Sequence, residues 1–267
     1  MGVLNVTPDS FSDGGRFADP GDAIAHARQM IDAGADLLDI GGESTQPGAQ
    51  PVAADEQIRR VVPVIGELTA SNLPVTISID TTKSTVAQAA LDAGAHLVND
   101  ISGARDDERM LPLIASREVP VILMHMQGTP QTMQVDPRYT DVVREVAAFL
   151  TDQIRAALDC GIARERILVD PGIGFGKRIE HNLALIRDTG KIAHAIGHPL
   201  VVGASRKGFI GTITGEPEPR NRLFGTAATT AWFVANGASV VRVHDVRPMK
   251  QVILMTRAIA RAAAEPE

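Results

Sequence analysis

Apolar positions along this chain fall into two alternating kinds of segment. Eight short runs, near 2–6, 36–40, 75–80, 95–99, 119–124, 166–170, 199–203 and 239–243, are mostly continuous and rich in Val, Ile and Leu. Continuous rather than alternating runs of this length are what strands covered on both faces require. Between them lie stretches with helical spacing, at 20–33, 54–70, 83–93, 106–116, 138–160, 179–195, 219–236 and 247–264. Asp19-Pro20 reads as a helix start with Pro in the first turn. Ala33-Gly34, Ala93-Gly94, Cys160-Gly161 and Asn236-Gly237 read as glycine C-caps that release the chain into the next strand.

Strand, helix, glycine, strand, eight times over, predicts an α/β chain closed into one (β/α)8 barrel, a fold that takes about 250 residues. A doubly wound open sheet is the competing architecture. Eight regular units with no linker or composition break favour closure and a single domain over 1–267, with only the tail from Ala262 reading as loose. The loops are unequal. Those before the strands are short and plain. Those after them carry the polar, Gly- and Pro-rich segments, among them 5–15, 39–48, 125–130, 170–177, 203–208 and 242–245. In a barrel these lie together on the C-terminal face, where active sites are built.

Composition narrows the reading little. The chain has 267 residues, 44% hydrophobic and 22% charged, as a soluble globular protein does. A net charge of −6 gives no basic footprint for nucleic acid. No apolar run approaches the roughly 20 residues of a membrane span. The first residues lack the basic and apolar regions of a signal peptide. The lone Cys160 excludes an internal disulfide framework and is expected to be a small buried residue near a helix end. A cytoplasmic location is the expectation.

The candidate chemistry begins with Asp80, Asn99 and Asp170, each closing an apolar run. Each has a plain alternative as the cap of the following helix, with Asp100 able to take that role beside Asn99. On a barrel rim they make a polar floor instead. An ionised carboxylate accepts two parallel hydrogen bonds, which suits a guanidine-like edge, and an Asn can read a mixed edge. Ser205-Arg206-Lys207 and Arg242 with His244 follow the last two strands, where barrel phosphate sites form, and suit a diphosphate. An Asn such as Asn5 can ligate Mg²⁺ directly or through water. Arg206 alone also reads naturally as a solvated surface charge. The 170–177 segment matches neither the dinucleotide nor the Walker pattern, and its glycines read better as a close backbone pass beneath a ligand. No H-E-x-x-H zinc pair and no G-x-S-x-G elbow is present.

Taken in order, Asn5-Val-Thr-Pro-Asp-Ser-Phe-Ser-Asp-Gly-Gly15, Gly41-Gly-Glu-Ser-Thr45, Ser78-Ile-Asp-Thr81, Val98-Asn-Asp100, Asp170-Pro-Gly-Ile-Gly-Phe-Gly-Lys177, Ser205-Arg-Lys207 and Arg242-Val-His244 resemble the dihydropteroate synthases, the pterin-binding barrels of folate synthesis. Any one match is weak; the ordered set spans nearly the whole chain. The resemblance implies condensation of 6-hydroxymethyl-7,8-dihydropterin diphosphate with p-aminobenzoate, giving 7,8-dihydropteroate and pyrophosphate by an SN1-like substitution. It implies that Asp170 grips the 2-amino edge of the pterin while Asn99 and Asp80 read other ring atoms. Lys207 meets the carbonyl side, Arg242 stacks near the ring, and Met124 and Phe175 supply apolar wall. Asn5, Arg242 and His244 hold the diphosphate with Mg²⁺, Asp80 and Asp13 stabilise the pterin cation, and Phe11, Thr45 and Pro47 close over the p-aminobenzoate, its carboxylate near Ser205 and the amides that start the next helix. It further implies a homodimer.

The sequence departs from the family pattern in two places. Gln46 stands where an Arg is usual, and cannot supply its bidentate cationic fork. Gly208 stands where many members carry Ser or Arg. Altered p-aminobenzoate or sulfonamide affinity with pterin binding retained is the expectation. Two rival readings remain beside this one: a barrel passing a methyl group from methyltetrahydrofolate to a corrinoid, and a non-catalytic pterin binder.

Overall fold

In this computed structural model, residues 1–7 and 20–262 are described. Eight short parallel strands alternate with helices: β1 (Gly2–Asn5), α1 (Pro20–Asp32), β2 (Leu37–Gly41), α2 (Ala54–Ala70), β3 (Thr76–Asp80), α3 (Ser84–Asp92), β4 (Leu97–Asp100), α4 (Met110–Arg117), β5 (Val121–Met124), α5 (Val142–Asp159), β6 (Ile167–Asp170), α6 (Ile179–Arg187), α7 (Thr189–Ile196), β7 (Val201–Val202), α8 (Gly208–Thr214), α9 (Leu223–Ala235), β8 (Val240–Val241) and α10 (Val246–Ala262). Strands β1 to β6 pair in sequence order, and β7 pairs with β8. Single parallel bridges, Val169 to Leu200 and Gly2 to Val243, join the two sets at both seams. The Val3 amide donates to the Val243 carbonyl at 3.0 Å and the Val243 amide to the Met1 carbonyl at 2.9 Å, closing the ring of eight.

Alternation along each strand sorts the side chains. One set, including Leu4, Leu38, Ile40, Ile77, Ile79, Val121, Leu123 and Val169, is fully or almost fully buried in the main core. The helices meet it with apolar faces at helical spacing, as α5 does with Val142, Val146, Leu150, Ile154 and Ala157. Each such Leu or Ile stabilises the fold by roughly 1.5–3 kcal/mol. The other set fills the inside of the barrel. Its lower layer is a separate cluster of Met1, Leu97, Ile122 and Val201, with Leu37, Leu168 and Val240 against it. Two residues further along these strands, on the same face, stand Asp39, Asn99, Met124, Asp170, Gly203 and Arg242. The barrel interior therefore changes from dry to polar within one layer.

The eight units and their order follow the sequence pattern, and Gly34, Gly94, Gly161 and Gly237 all have positive φ, as C-caps do. Several boundaries differ. The expected helix 138–160 begins only at Val142, because the Asp141 carboxylate caps the Arg144 amide at 3.1 Å and Glu145 reaches back to the Thr140 and Asp141 amides. The helix 106–116 begins at Met110, after a turn in which Asp107 accepts from the Arg109 amide at 3.0 Å while its other oxygen accepts from the Ser84 amide at the start of α3 at 2.9 Å. The span 179–195 breaks into α6 and α7 at Asp188, and 219–236 opens with a 3-10 turn over Pro219–Asn221 before α9. Helix α8 was absent from the pattern: its seven residues, Gly-Phe-Ile-Gly-Thr-Ile-Thr, carry too little polar contrast to announce a helix. Cys160 is exposed, not buried: it is the C-cap of α5, one residue past the last turn that packs on the barrel. Among the described residues no helix is long and apolar enough to cross a membrane.

Candidate active site

Asn5, Gly41, Asp80 and Asn99 are register partners in succession across β1 to β4, so they form one row at the C-terminal rim. Gly41 is what lets that row be polar. A Cβ there would stand 3.5 Å from the Asp80 Cβ and 3.8 Å from the Asn5 Oδ1, so both side chains converge over the space it leaves. Beneath the row lies Asp39, with no solvent exposure. Its Oδ2 accepts from Asn99 Nδ2 at 3.0 Å and from Arg242 Nε at 2.6 Å. The other arm of Arg242 donates to Asp80 Oδ2 at 2.9 Å. One guanidinium thus bridges two buried carboxylates. Burial first, and then the charge of Asp39, push the Asp80 carboxyl well above its ordinary range against the pull of Arg242.

The capping alternative does not hold for Asp80, since Asp107 serves α3. Nor does it hold for Asn99, since Asp100 folds its own turn, accepting from the Ser102 amide at 2.8 Å and hydroxyl at 2.7 Å. Asp170 is tied locally: its Oδ1 accepts from the Gly172 amide at 2.7 Å. Among the described residues no cation pairs with it. Burial raises its carboxyl to about 6, despite the Gly172 amide and the distant charge of Arg242.

The glycines after Asp170 act through close approach. Gly172, Gly174 and Gly176 all have positive φ. A Cβ on Gly172 would stand 1.9 Å from the His125 carbonyl oxygen, and one on Gly176 2.4 Å from that of Gln127. This loop therefore lies flat on the β5 loop, which no other residue type permits. Lys177 pins it from below. Its buried ammonium donates to the Phe175 carbonyl at 2.8 Å and to His125 Nδ1 at 2.9 Å. Burial lowers Lys177 to about 7, and burial with the neighbouring Lys177 and Arg105 charges lowers His125 to about 3, which favours a neutral imidazole with one ring nitrogen free to accept. Phe175, so held, packs with Met124, Ile101, Met126 and Met133. Lys207 Nζ stands 3.9 Å from the centre of the Phe175 ring, and burial brings it down to about 8.

At the β7–β8 end Ser205 accepts from the His244 amide at 3.2 Å and its hydroxyl lies 3.0 Å from His244 Nδ1. Burial, with Arg242 and Arg206 nearby, lowers His244 to about 3. Arg206 is not a free surface charge: it sits at φ +61° and forks onto Asp245 at 3.0 and 2.6 Å. Thr45 and Pro47 are on the loop between β2 and α2. Glu43 fixes the stem of that loop, accepting from the Val52 amide at 3.2 Å and from Lys83 Nζ at 3.2 Å, and the tip meets the β5 loop where the Gly48 amide donates to the Pro130 carbonyl at 3.0 Å. Phe11 and Asp13 lie outside the described residues.

The structure thus sets Asn5, Asp80 and Asn99 in one row at the C-terminal rim, ties Asp80 to Arg242, packs Phe175 against Met124 and under Lys207, and joins Ser205 to His244, with Asp170 at the end of β6. Asp39, Lys177 and Glu43 have roles that the sequence reading did not assign. The signal for Asp39 was visible: a charge between Leu38 and Ile40 inside an apolar run needs a buried partner. The arrangement offers a carboxylate for a guanidine-like edge, a flat apolar wall, and cations beside it for an anionic leaving group.

Comparison with known proteins agrees with this geometry. The family described as pterin binding enzyme matches residues 1–244. A dihydropteroate synthase from Synechocystis sp. is 46% identical over 261 residues, covering 98% of this chain and 90% of that protein. The crystal structure of the Yersinia pestis dihydropteroate synthase, solved with a sulfonamide drug complex, superposes with a TM-score of 0.91 at 42% identity, covering 97% of this chain and 93% of the other. The Xanthomonas albilineans dihydropteroate synthase in complex with 7,8-dihydropteroate superposes with a TM-score of 0.88 at 40% identity, covering 100% and 94%.

Proposed function

We propose, from the premise that this chain belongs to the dihydropteroate synthase family of pterin-binding enzymes, a division of its condensation reaction between a strand-borne floor and a cationic flank. The family reaction joins 6-hydroxymethyl-7,8-dihydropterin diphosphate to p-aminobenzoate in folate biosynthesis. The observation that carries the assignment is Asp170, a buried carboxylate at the C-terminal end of β6 without a cationic partner among the described residues, on the same inward face of the barrel as Asn99. The 2-amino and ring N–H edge of a pterin is a planar pair of donors, the partner such a carboxylate lacks. Asn99 and Asp80 read the remaining ring atoms, and Met124 and Phe175 take the ring face.

The chemistry asks for stabilised departure. The bond between the pterin methylene and the diphosphate oxygen breaks, and the electron pair leaves with pyrophosphate. Lys207, Arg242 and His244 face the charge that grows there. The pterin-methyl cation is delocalised into the ring, where the Asp80 carboxylate balances it; Asp13 is assigned the same role from outside the described residues. The p-aminobenzoate nitrogen then forms the new carbon–nitrogen bond and loses a proton to solvent, a step that needs position more than a strong base. Thr45, Pro47 and Phe11 are assigned to that second substrate, with Ser205 and the α8 amides toward its carboxylate.

Mg²⁺ fits the donor set. Asn5 presents a neutral hard oxygen over Gly41, beside Asp80. No group of three acidic, His or Cys side chains offers a full cage among the described residues. That is the pattern of an ion held mainly by substrate phosphates and water. When bound, it supplies charge neutralisation on the diphosphate. A homodimer is supported by Trp232 on α9 and Leu254, Met255 and Ile259 on α10, all exposed on two helices that pack side by side. A cytoplasmic location suits the free, exposed thiol of Cys160.

Pyrophosphate release on mixing the pterin diphosphate, p-aminobenzoate and Mg²⁺ tests the reading. Release that needs all three is expected. A protein that binds the pterin and releases nothing is a binder, and one that instead demethylates methyltetrahydrofolate before a corrinoid is the rival barrel.

A further inference from the structure

Asp39 has no solvent exposure, and its whole hydrogen-bonding effort is spent on two site residues, Asn99 and Arg242, through a single oxygen. Its second oxygen and the Ser78 hydroxyl, which stands opposite it in the β2–β3 register, have no partner among the described residues. A buried charge inside an apolar run costs stability unless it serves something. The contact also fixes a choice that Asn99 otherwise has. A carboxylate only accepts, so the Asn99 carboxamide must turn its NH2 downward, and its Oδ1 is left for the cavity.

We propose that Asp39 is a positioning residue for the pterin ring: it anchors Arg242 at the floor and sets Asn99 so that the floor reads a ring donor at that point. The inference rests on the assignment of this floor to the pterin. Asp39 itself touches no substrate; it acts through the two side chains above it. The polarity follows from Asp39 rather than from Asn99, since an isolated carboxamide presents either end with equal ease.

A two-site cycle, read by calorimetric binding of 6-hydroxymethylpterin to the full chain, tests this. Asp39→Ala frees both partners, and pterin affinity should fall by about tenfold or more. The KM for p-aminobenzoate should stay within about twofold and the calorimetric stoichiometry should be unchanged, whereas a loss of folded protein would lower the stoichiometry. Asp39→Asn keeps an oxygen for both donors and should recover affinity to within about threefold of wild type. Asn99→Asp in the wild-type background sets two carboxylates against each other and should be severe. In the Asp39→Ala background the same change leaves an acceptor facing the ring and restores the charge count, so the double variant should bind at least about tenfold better than Asn99→Asp alone. A double variant worse than both singles overturns the proposal, because the ring would then need the amide donor. If Asn99→Asp fails to fold, the double variant is compared with Asp39→Ala: affinity within about threefold supports the proposal and a further tenfold loss overturns it. A wild-type protein that binds no pterin fails the functional assignment instead.

Discussion

The floor and the rim of this cavity are built in different ways. Floor residues sit on or directly after strands, and they partner one another: Asp39 lies within β2, Asp80 ends β3, Asn99 lies in β4 and Arg242 directly follows β8. The rim is loop. Thr45, Gln46 and Pro47 lie between a stem clamped by Glu43 and a tip that meets Pro130 among the described residues, and Gln46 and Pro47 are exposed. A strand end cannot move without disturbing the barrel, whereas a loop with few bonds can close and open. On the assignment proposed above, the heterocycle meets a finished surface and the second substrate one still to be completed. Substitutions in the floor should strike pterin binding, and substitutions in the rim should strike p-aminobenzoate.

The sharpest break comes at Asp170. Asp170→Ala should cost pterin affinity roughly a hundredfold or more, the scale of truncating a buried charged acceptor. Calorimetry that finds equal affinity contradicts the floor. Lys207→Ala should lower turnover by roughly ten- to a hundredfold with little change in the KM for p-aminobenzoate, by steady-state kinetics. Lys177→Met tests the support of the wall rather than the wall. It leaves the Phe175 carbonyl without its donor, a loss of roughly 1–3 kcal/mol. The melting temperature should fall by several degrees and pterin affinity with it; a fall in stability with unchanged pterin affinity would separate Phe175 from the ring site.

The raised carboxyl of Asp170 makes a prediction about pH. An acid whose pKa rises on folding, here from 3.8 to about 6, binds more protons folded than unfolded in that window. Its contribution to stability is present below 3.8 and is lost as pH rises through 6. Asp170→Asn removes the penalty, so its melting temperature relative to wild type should climb between pH 4 and pH 7. A flat difference across that range would place the carboxyl in an ordinary environment. The smallest effect is expected at the rim: Gln46→Arg should change p-aminobenzoate and sulfonamide affinity by a fewfold and leave pterin affinity alone. Gly208→Ser should fold normally, since nothing lies within 4 Å of the added Cβ.

The same contrast explains what the sequence revealed. Strand ends were legible because an Asp or Asn after Val-Thr-Ile-Ser-Ile or Ile-Leu-Val breaks an apolar run at a defined place, and barrel topology then brings distant breaks together. The partners were harder. Asp39 reads from the pattern as the start of a loop, although it lies inside β2. Lys177 ended a glycine-rich segment and gave no hint that it turns inward to the Phe175 carbonyl. Glu43 and Val52, nine residues apart, close the rim loop by a bond that no periodicity encodes. Helix α8 was missed because seven mostly apolar residues carry no amphipathic signal. What local pattern conveyed was position on the barrel; what it lacked was which polar group each buried side chain would find.

A crystal structure with 6-hydroxymethylpterin soaked into the protein, without p-aminobenzoate, tests the finished floor most directly. The account predicts the 2-amino edge within hydrogen-bond distance of the Asp170 carboxylate, the ring against Met124 and Phe175, and the Asp39 contacts to Asn99 and Arg242 unchanged. A pterin seated elsewhere, or an Asp39–Arg242 pair that must part before the ring can enter, would contradict it.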